Sequence, residues 1–147
     1  MNMNWKFPYE LDHIGVACKS IDETKKLYMA MGFDEPAIEE VKTEGVKVGF
    51  MQLGPEVEPG KGVSRIELLE PLNDNSPIAK FLTKRGPGIH HICLRVQDIH
   101  KAIESIKTTE VQMIDEKPKP GAHNCLVAFI HPKSTGGVLI ELSQPQN

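Results

Sequence analysis

Two histidines and two glutamates stand at matching places in two similar halves of the chain. The sequence around His13, Leu-Asp-His-Ile-Gly-Val, returns around His91 as His-His-Ile-Cys-Leu, 78 residues later (91 minus 13). The sequence Arg-Ile-Glu-Leu-Leu around Glu67 returns around Glu141 as Leu-Ile-Glu-Leu-Ser, 74 residues later (141 minus 67). Two imidazoles and two carboxylates suit a hard-to-borderline divalent metal ion. The repeat therefore predicts one shared metal site.

Such a site would act as a Lewis acid. Four protein ligands leave two positions of an octahedron open for water or for a chelating substrate. A metal held in this way can polarise a carbonyl group and stabilise the enolate that forms when a neighbouring C–H loses its proton. A carboxylate base beside the metal completes the minimal set for this proton abstraction. Structural zinc sites usually use cysteine and are closed, so a carboxylate-rich set favours catalysis.

Every histidine and glutamate in the pattern also has a purely structural interpretation. A glutamate on the solvent face of a strand is common, and a single strand histidine is usually hydrogen-bonded structure. The duplication favours the metal site, because both halves place the two residue types at equivalent positions. The other histidines are weaker candidates: His90 should be structural, His100 should lie on an exposed helix face, and His123 and His131 should lie on or beside a loop that could cap the site.

Strand alternation predicts that the four candidate ligands share one side of a sheet. Each stands beside isoleucine or leucine, and successive side chains of a strand point to opposite faces. If the apolar faces pack against helices, His13, Glu67, His91 and Glu141 line the other, concave face.

Each half is predicted to contain a strand, a helix and three further strands. The helices should begin after Ser20 and Asp98, which are good N-caps, and Ser76 followed by Pro77 predicts a short helix between the halves. The predicted strands span residues 11–18, 38–41, 46–53, 63–69, 89–96, 111–114, 126–130 and 138–142.

At 147 residues the chain has the length of one ordinary domain. We predict a single domain over residues 9–147. Its first module covers 9–72, a linker with the short helix covers 73–88, and the second module covers 89–144. The Pro- and Gly-rich segment 55–62 should be an irregular loop.

Composition argues against several classes of protein. The net charge of −3 and the scattered lysines give no general attraction to nucleic acid. No apolar run approaches the roughly 20 residues that cross a bilayer. The first residues lack the apolar stretch of a secretory signal, so a cytoplasmic protein is expected. Cys18, Cys93 and Cys125 form no Cys-x-x-Cys pair and should be buried and reduced.

Together these motifs resemble the vicinal oxygen chelate superfamily, whose members pair two βαβββ modules around a metal cup. Within it the chain is similar to methylmalonyl-CoA epimerases over residues 11–144. The first histidine strand is shared with much of the superfamily. The more specific motifs are Ile114–Pro118, Phe129–Ser134 and Gly137–Gln144.

This resemblance implies an α+β fold in which two paired βαβββ modules form a curved mixed sheet around the metal. It implies that His13, Glu67, His91 and Glu141 bind a divalent ion, which is cobalt, zinc, manganese or magnesium. It also implies a homodimer that interconverts (R)- and (S)-methylmalonyl-CoA, a CoA thioester. One base would remove the C2 proton and another would return a proton on the opposite face.

The chain departs from the family pattern at Val48. Some epimerases carry a second glutamate at this position, and valine cannot move a proton. Glu141 is therefore predicted as one catalytic base. The second base stays open between Glu44, a metal-bound water and a residue of the loop before Leu126. Some relatives have glutamine in place of Glu67, which keeps an oxygen ligand.

Other functions are compatible with the same fold. A glyoxalase-type lyase, acting on a glutathione hemithioacetal, would use similar ligands. A non-catalytic drug-binding protein would need the cup but no metal, so the complete ligand set argues against it. A ring-cleaving dioxygenase is disfavoured, because its usual iron site has two histidines and one carboxylate.

Overall fold

The structure is a computed structural model that describes residues 8–54 and 64–146. The predicted irregular loop at 55–62 lies outside these residues. The strands are β1 (Glu10–Ala17), β2 (Ala37–Val41), β3 (Val46–Gln52), β4 (Arg65–Pro71), β5 (Gly88–Arg95), β6 (Lys119–Pro120), β7 (Cys125–Ile130) and β8 (Ile140–Pro145). The helices are α1 (Ile21–Ala30), α2 (Pro77–Arg85) and α3 (Ile99–Lys107).

Strand order repeats within one mixed sheet, whose order is β2-β3-β4-β1-β5-β8-β7-β6. β1 pairs with β4, and β5 with β8, in parallel. The neighbouring pairs β2–β3, β3–β4, β6–β7 and β7–β8 are antiparallel. The order β2-β3-β4-β1 therefore returns as β6-β7-β8-β5, which confirms the predicted α+β fold of two βαβββ modules. None of the helices in the described ranges is long and apolar enough to cross a membrane.

The chain divides into two compact units. One unit runs from His13 to His90, and the other contains the residues up to Asp12 together with those from His91 onward. The start of β1 thus belongs with the second half of the sequence, because Asp12 pairs with Arg95 of β5. The module bounds 9–72 and 89–144 stay a prediction of the sequence.

In the unit from His13 to His90, α1 is tied to the last strand of its module. Ser20 is the predicted N-cap, and its Oγ accepts a hydrogen bond from the Glu23 amide at 3.2 Å. The amide of Ile21 donates instead to the Glu70 side chain of β4, at 2.9 Å. Ile21 then packs with Cys18, Met51 and Leu68, which are all buried. The side chain of Glu70 therefore fixes the beginning of α1 against β4.

The second unit repeats this arrangement. Asp98 caps α3 as predicted, accepting from the Lys101 amide at 3.1 Å. The first helical amide, that of Ile99, donates to the Gln144 side chain of β8 at 2.8 Å. Gln144 follows Glu141 by three residues, as Glu70 follows Glu67. The buried cluster beneath α3 contains Val96, Ile99, Ile103, Ala128, Ile130 and Leu142.

The linker helix also begins where the sequence predicts. Ser76 Oγ accepts a hydrogen bond from the Ile78 amide at 3.1 Å, and Pro77 occupies the first helical position. Gly86 ends the helix with a φ of 76°, a left-handed value that favours glycine.

One predicted strand, at residues 111–114, is wrong. Met113 forms an isolated bridge with Ile130, and the second strand of this module is instead the short β6. The Ile114 amide does donate to the Phe129 carbonyl at 2.8 Å. However, the Asp115 side chain accepts the Phe129 amide at 2.9 Å. The Asp115 carboxylate thus accepts the Phe129 amide, which would otherwise donate to the backbone of a strand at 111–114.

Within the second unit, a buried ion pair joins β1 to β5. Arg95 Nε donates to Asp12 Oδ1 at 2.9 Å, and the two side chains are only 4% and 5% exposed. Arg95 Nη1 also lies 3.4 Å from Glu10 Oε2. Because both side chains are removed from water, loss of one removes the main compensation for the buried charge of the other.

We expect Arg95→Met to lower the free energy of unfolding by about 3–5 kcal/mol, because it removes the guanidinium that pairs with the buried Asp12 carboxylate. The double variant Asp12→Leu/Arg95→Met should regain much of this loss, since no charge is then stranded. Urea unfolding of wild type, both single variants and the double variant measures the effect. Single-variant losses that simply add in the double variant would contradict the coupling.

Candidate metal centre

His13 and Glu67 form a buried pair in the unit from His13 to His90. His13 Nδ1 lies 2.8 Å from Glu67 Oε2, and the residues are 5% and 4% exposed. The parallel register of β1 and β4 sets Gly15 opposite Glu67, so the imidazole and the carboxylate come from adjacent strands on one face. The structure brings these two predicted ligands together.

His91 and Glu141 form the equivalent pair in the other unit. His91 Nε2 lies 3.0 Å from Glu141 Oε2, and the residues are 5% and 8% exposed. β5 and β8 are parallel, with Cys93 opposite Glu141. The second pair of predicted ligands is therefore also brought together, by the same pairing of a module's first and last strands.

Helices cover the opposite face of both strand pairs, as alternation predicts. Ile66 and Leu68, which flank Glu67, belong to the cluster that packs around Ile21 of α1. Ile140 and Leu142, which flank Glu141, belong to the cluster around α3. The four polar side chains are nevertheless buried rather than solvated, so a simple solvent-face interpretation of Glu67 or Glu141 is wrong.

A phenylalanine stands beside each carboxylate, and sequence reasoning missed both. Phe50 of β3 is directly opposite Glu67, and Phe129 of β7 is directly opposite Glu141. Directly opposed side chains lie on the same face, with Cβ atoms about 5 Å apart. The ring of Phe129 also meets the His91 ring edge to face, with centroids 5.9 Å apart. The repeated pattern Val-small-Phe, in 48–50 and again in 127–129, was the available signal.

A cation lies over each of these rings. The Arg65 guanidinium carbon is 5.9 Å from the Phe50 centroid, and Lys119 Nζ is 5.3 Å from the Phe129 centroid. Arg65 also contacts Glu67, with Nη2 at 3.3 Å from Oε2. Arg65 is on the same strand as Glu67, whereas Lys119 is on β6 and not on the strand of Glu141. Lys119 Nζ pairs with the Asp115 side chain at 3.3 Å.

Val48 and Glu44, the two positions considered for a second base, lie in different parts of the fold. Val48 is buried and lies opposite Leu69 in β4, so it shares a face with Glu67 two residues away. Glu44 lies in a short turn before Val46, the residue paired with Pro71. Val46 is itself four residues (50 minus 46), or about 13 Å of strand, from the position opposite Glu67. Glu44 as the second base stays a prediction of the sequence.

The remaining histidines mostly have structural surroundings. His90 packs its ring edge to face on Phe81, at 5.0 Å between centroids, and His100 is exposed, both as predicted. His131 Nδ1 accepts the Lys133 amide at 3.1 Å and so caps a short turn. His123 is exposed and has a φ of 56°. That His123 and His131 lie beside a loop that covers the metal site stays a prediction.

The three cysteines are buried free thiols, as predicted. Burial raises the pKa of Cys18, which keeps that thiol neutral near physiological pH. Cys93 faces Glu141 in register and is fully buried. A buried thiol packs as a small, largely apolar side chain, so Cys93 contributes to the dry surroundings of Glu141.

The donor set fits a divalent cation. Ionised carboxylates are costly to bury unless they are paired or bind a metal, and each is here beside an imidazole, a common metal ligand. Ser143 lies on the same face two residues beyond Glu141, and its Oγ is buried without a hydrogen-bond partner among the described residues. Such an atom indicates room for a water or ligand oxygen on this face.

Comparisons with known proteins agree over nearly the whole chain. The family model of the Glyoxalase/Bleomycin resistance protein/Dioxygenase superfamily matches residues 12–129. The mitochondrial methylmalonyl-CoA epimerase of Dictyostelium discoideum is 40% identical over 137 residues, which cover 92% of this chain and 78% of the relative. The ethylmalonyl-CoA/methylmalonyl-CoA epimerase of Cereibacter sphaeroides is 37% identical, covering 91% of this chain and 96% of the relative.

A solved structure gives the same result for the fold. A variant of the Streptomyces coelicolor methylmalonyl-CoA epimerase, in complex with 2-nitronate-propionyl-CoA, is 32% identical and superimposes with a TM-score of 0.86. The match covers 92% of this chain and 94% of that one. The chain therefore belongs to the Glyoxalase/Bleomycin resistance protein/Dioxygenase superfamily and, within it, to the methylmalonyl-CoA epimerase family.

Proposed function

We propose that this protein is a metal-dependent epimerase that interconverts (R)- and (S)-methylmalonyl-CoA. The observation that carries the proposal is the buried histidine–glutamate pair that each half places at the same strand position. Family membership adds the substrate class, because the named relatives act as epimerases on methylmalonyl-CoA. A soluble thioester is the expected partner, and the homodimer stays a prediction.

In this proposal His13, Glu67, His91 and Glu141 together hold one divalent ion. Cobalt, zinc, manganese and magnesium all accept imidazole and carboxylate ligands to some degree, so the donor set leaves the choice among them open. When bound, the ion would supply Lewis-acid polarisation of the thioester carbonyl, which makes the C2 proton more acidic.

Glu141 is the residue we assign to proton transfer. Its carboxylate would take the proton from C2 as the C–H bond breaks and the electron pair moves into the thioester carbonyl. Phe129, opposite Glu141, and Cys93 on its other side would exclude water from the base. Inversion then requires that a second group deliver a proton to the opposite face of C2.

A water molecule is the second proton carrier that we propose. Val48 occupies the position where some relatives carry a glutamate, on the same face as Glu67. Glu44 lies in the turn that precedes β3. A water near Val48 would complete the two-sided transfer without another side chain.

The cytoplasmic location expected from the sequence also remains a proposal. The relative from Dictyostelium discoideum is named as mitochondrial. Fractionation of the source cells, followed with an antibody, would test the location directly.

We expect the wild-type protein, incubated with (S)-methylmalonyl-CoA in deuterated water, to incorporate deuterium at C2 and to stop when a chelator is added. Glu141→Gln should keep the fold but lower the exchange rate by about 10²–10⁴-fold, because it removes the base. Mass spectrometry of the thioester measures both effects.

The matched control for this variant is Glu104→Gln, since Glu104 is exposed on α3 and should exchange like wild type. A glutathione hemithioacetal tested in parallel separates the lyase alternative. Turnover of the hemithioacetal, without deuterium exchange at C2 of the CoA thioester, would contradict the epimerase proposal.

We expect His91→Ala to lose bound metal and activity together while the protein stays folded, because His91 is placed by its strand position on the polar face and not by the apolar core. His100→Ala is the control, since that imidazole is exposed on α3. Elemental analysis after dialysis measures metal content, and circular dichroism follows the fold. Equal metal in wild type and His91→Ala would remove His91 from the ligand set.

We expect Val48→Glu to turn over at least as fast as wild type, because it places a base where some relatives carry one. Val48→Gln introduces a side chain of nearly the same size as glutamate but without its basicity, so its turnover should not exceed that of wild type. Glu44→Gln should leave the rate unchanged, because in this proposal a water carries the second proton. Deuterium wash-in from each enantiomer separately measures the rates, and a sharp loss in Glu44→Gln would contradict the proposed water.

A further inference from the structure

Arg65 holds one oxygen of the Glu67 carboxylate. The two residues are separated by one position in β4 and therefore point to the same face. Arg65 Nε and Nη2 lie 3.4 and 3.3 Å from Glu67 Oε2, at the long end of the hydrogen-bond range. The Arg65 side chain is 22% exposed, whereas Glu67 is buried. The guanidinium therefore lies at the edge of the pair and reaches inward.

The ring of Phe50 supports this position of Arg65. The guanidinium carbon lies 5.9 Å from the Phe50 centroid, and Phe50 is directly opposite Glu67 on β3. A guanidinium beside an aromatic face is attracted to the ring and retains its planar set of donors. Arg65 is thus held by a ring on one side and by a carboxylate on the other.

Both partners of Glu67 contact the same oxygen. His13 Nδ1 lies 2.8 Å from Oε2, the atom that also faces Arg65. Both contacts lie on Oε2 and so orient the carboxylate from one side. Oε1 is then the oxygen that is presented for a cation.

The second half has a different residue at the position of Arg65. The repeat aligns Arg65-Ile66-Glu67 with Leu139-Ile140-Glu141, so an uncharged side chain precedes Glu141 by two residues. The cation over Phe129 comes instead from β6, where Lys119 pairs with Asp115 at 3.3 Å. The two otherwise similar carboxylates therefore differ in how a basic residue supports them.

We propose that Arg65 is a positioning residue that presents Glu67 to the metal through Oε1 alone. Glu67 is thereby restricted to metal binding, while Glu141, which no arginine fixes from its own strand, moves the proton. This inference rests on the proposed metal site, but it concerns metal affinity and does not require turnover of any particular substrate.

The test compares Arg65→Met, Arg65→Lys and wild type in their affinity for cobalt(II), measured by titrating metal-free protein and following cobalt absorption. Loss of such a supporting contact typically weakens metal binding by about 10–100-fold, and we expect this for Arg65→Met. Arg65→Lys should recover part of the affinity, since it restores the charge without the planar fork.

Arg85→Met is the matched control, because the Arg85 guanidinium also lies 5.9 Å from a phenylalanine centroid, that of Phe81, on the exposed surface of α2. It should bind cobalt like wild type. Urea unfolding of the metal-free proteins separates lost affinity from lost stability. In substrate exchange, Arg65→Met refilled with saturating cobalt should regain most of its kcat, because proton transfer stays with Glu141.

Unchanged cobalt affinity in Arg65→Met would overturn the inference, as would a wild-type protein that binds no cobalt. A kcat that stays low at saturating cobalt would also overturn it, because Arg65 would then act beyond metal binding. If wild type binds cobalt and Arg65→Met binds it weakly, but neither exchanges deuterium into methylmalonyl-CoA, the inference stands and the proposed function fails.

Discussion

The contact between a buried imidazole and a buried carboxylate, made once in each half, is the constraint on which the other features depend. An ionised carboxylate taken out of water costs several kcal/mol unless a partner or a metal compensates it. Glu67 and Glu141 meet this cost with His13 and His91 on the neighbouring parallel strands. The parallel pairing of each module's first and last strands therefore places the histidine beside the glutamate.

The helices serve this pairing by anchoring the strand that carries the carboxylate. Glu70 and Gln144, each three residues beyond its module's glutamate, accept the first amide of α1 and α3. Helix packing then fills the opposite face with the residues that flank each glutamate. The strand is thus held by a hydrogen bond and by helix packing on the face opposite its glutamate, which limits how far the carboxylate can move. A precise ligand position follows from this double support.

Alternation and duplication were enough to predict the module order and the polar face that holds His13, Glu67, His91 and Glu141, and the capping patterns were enough to predict where the helices begin. The rest depends on register, which a single sequence does not specify. Only the pairing of β3 with β4 shows that Phe50 adjoins Glu67 and that Val48 lies two residues away on the same face. The strand expected at 111–114 fails for a similar reason, since the Asp115 side chain competes for the Phe129 amide. A hydrogen bond from a backbone amide to a carboxylate side chain does not alter the hydrophobic pattern of the sequence, so the pattern alone does not predict it.

The contacts of Asp12 have a consequence for how the chain folds as it leaves the ribosome. Residues 13–90 form one of the two compact units, so this segment holds its own helix-to-strand bonds, such as that from Ile21 to Glu70. Segments made early generally fold early. Asp12 must wait for Arg95, 83 residues further along the chain. A nascent chain halted before Arg95 would therefore lack the ion pair between Asp12 and β5.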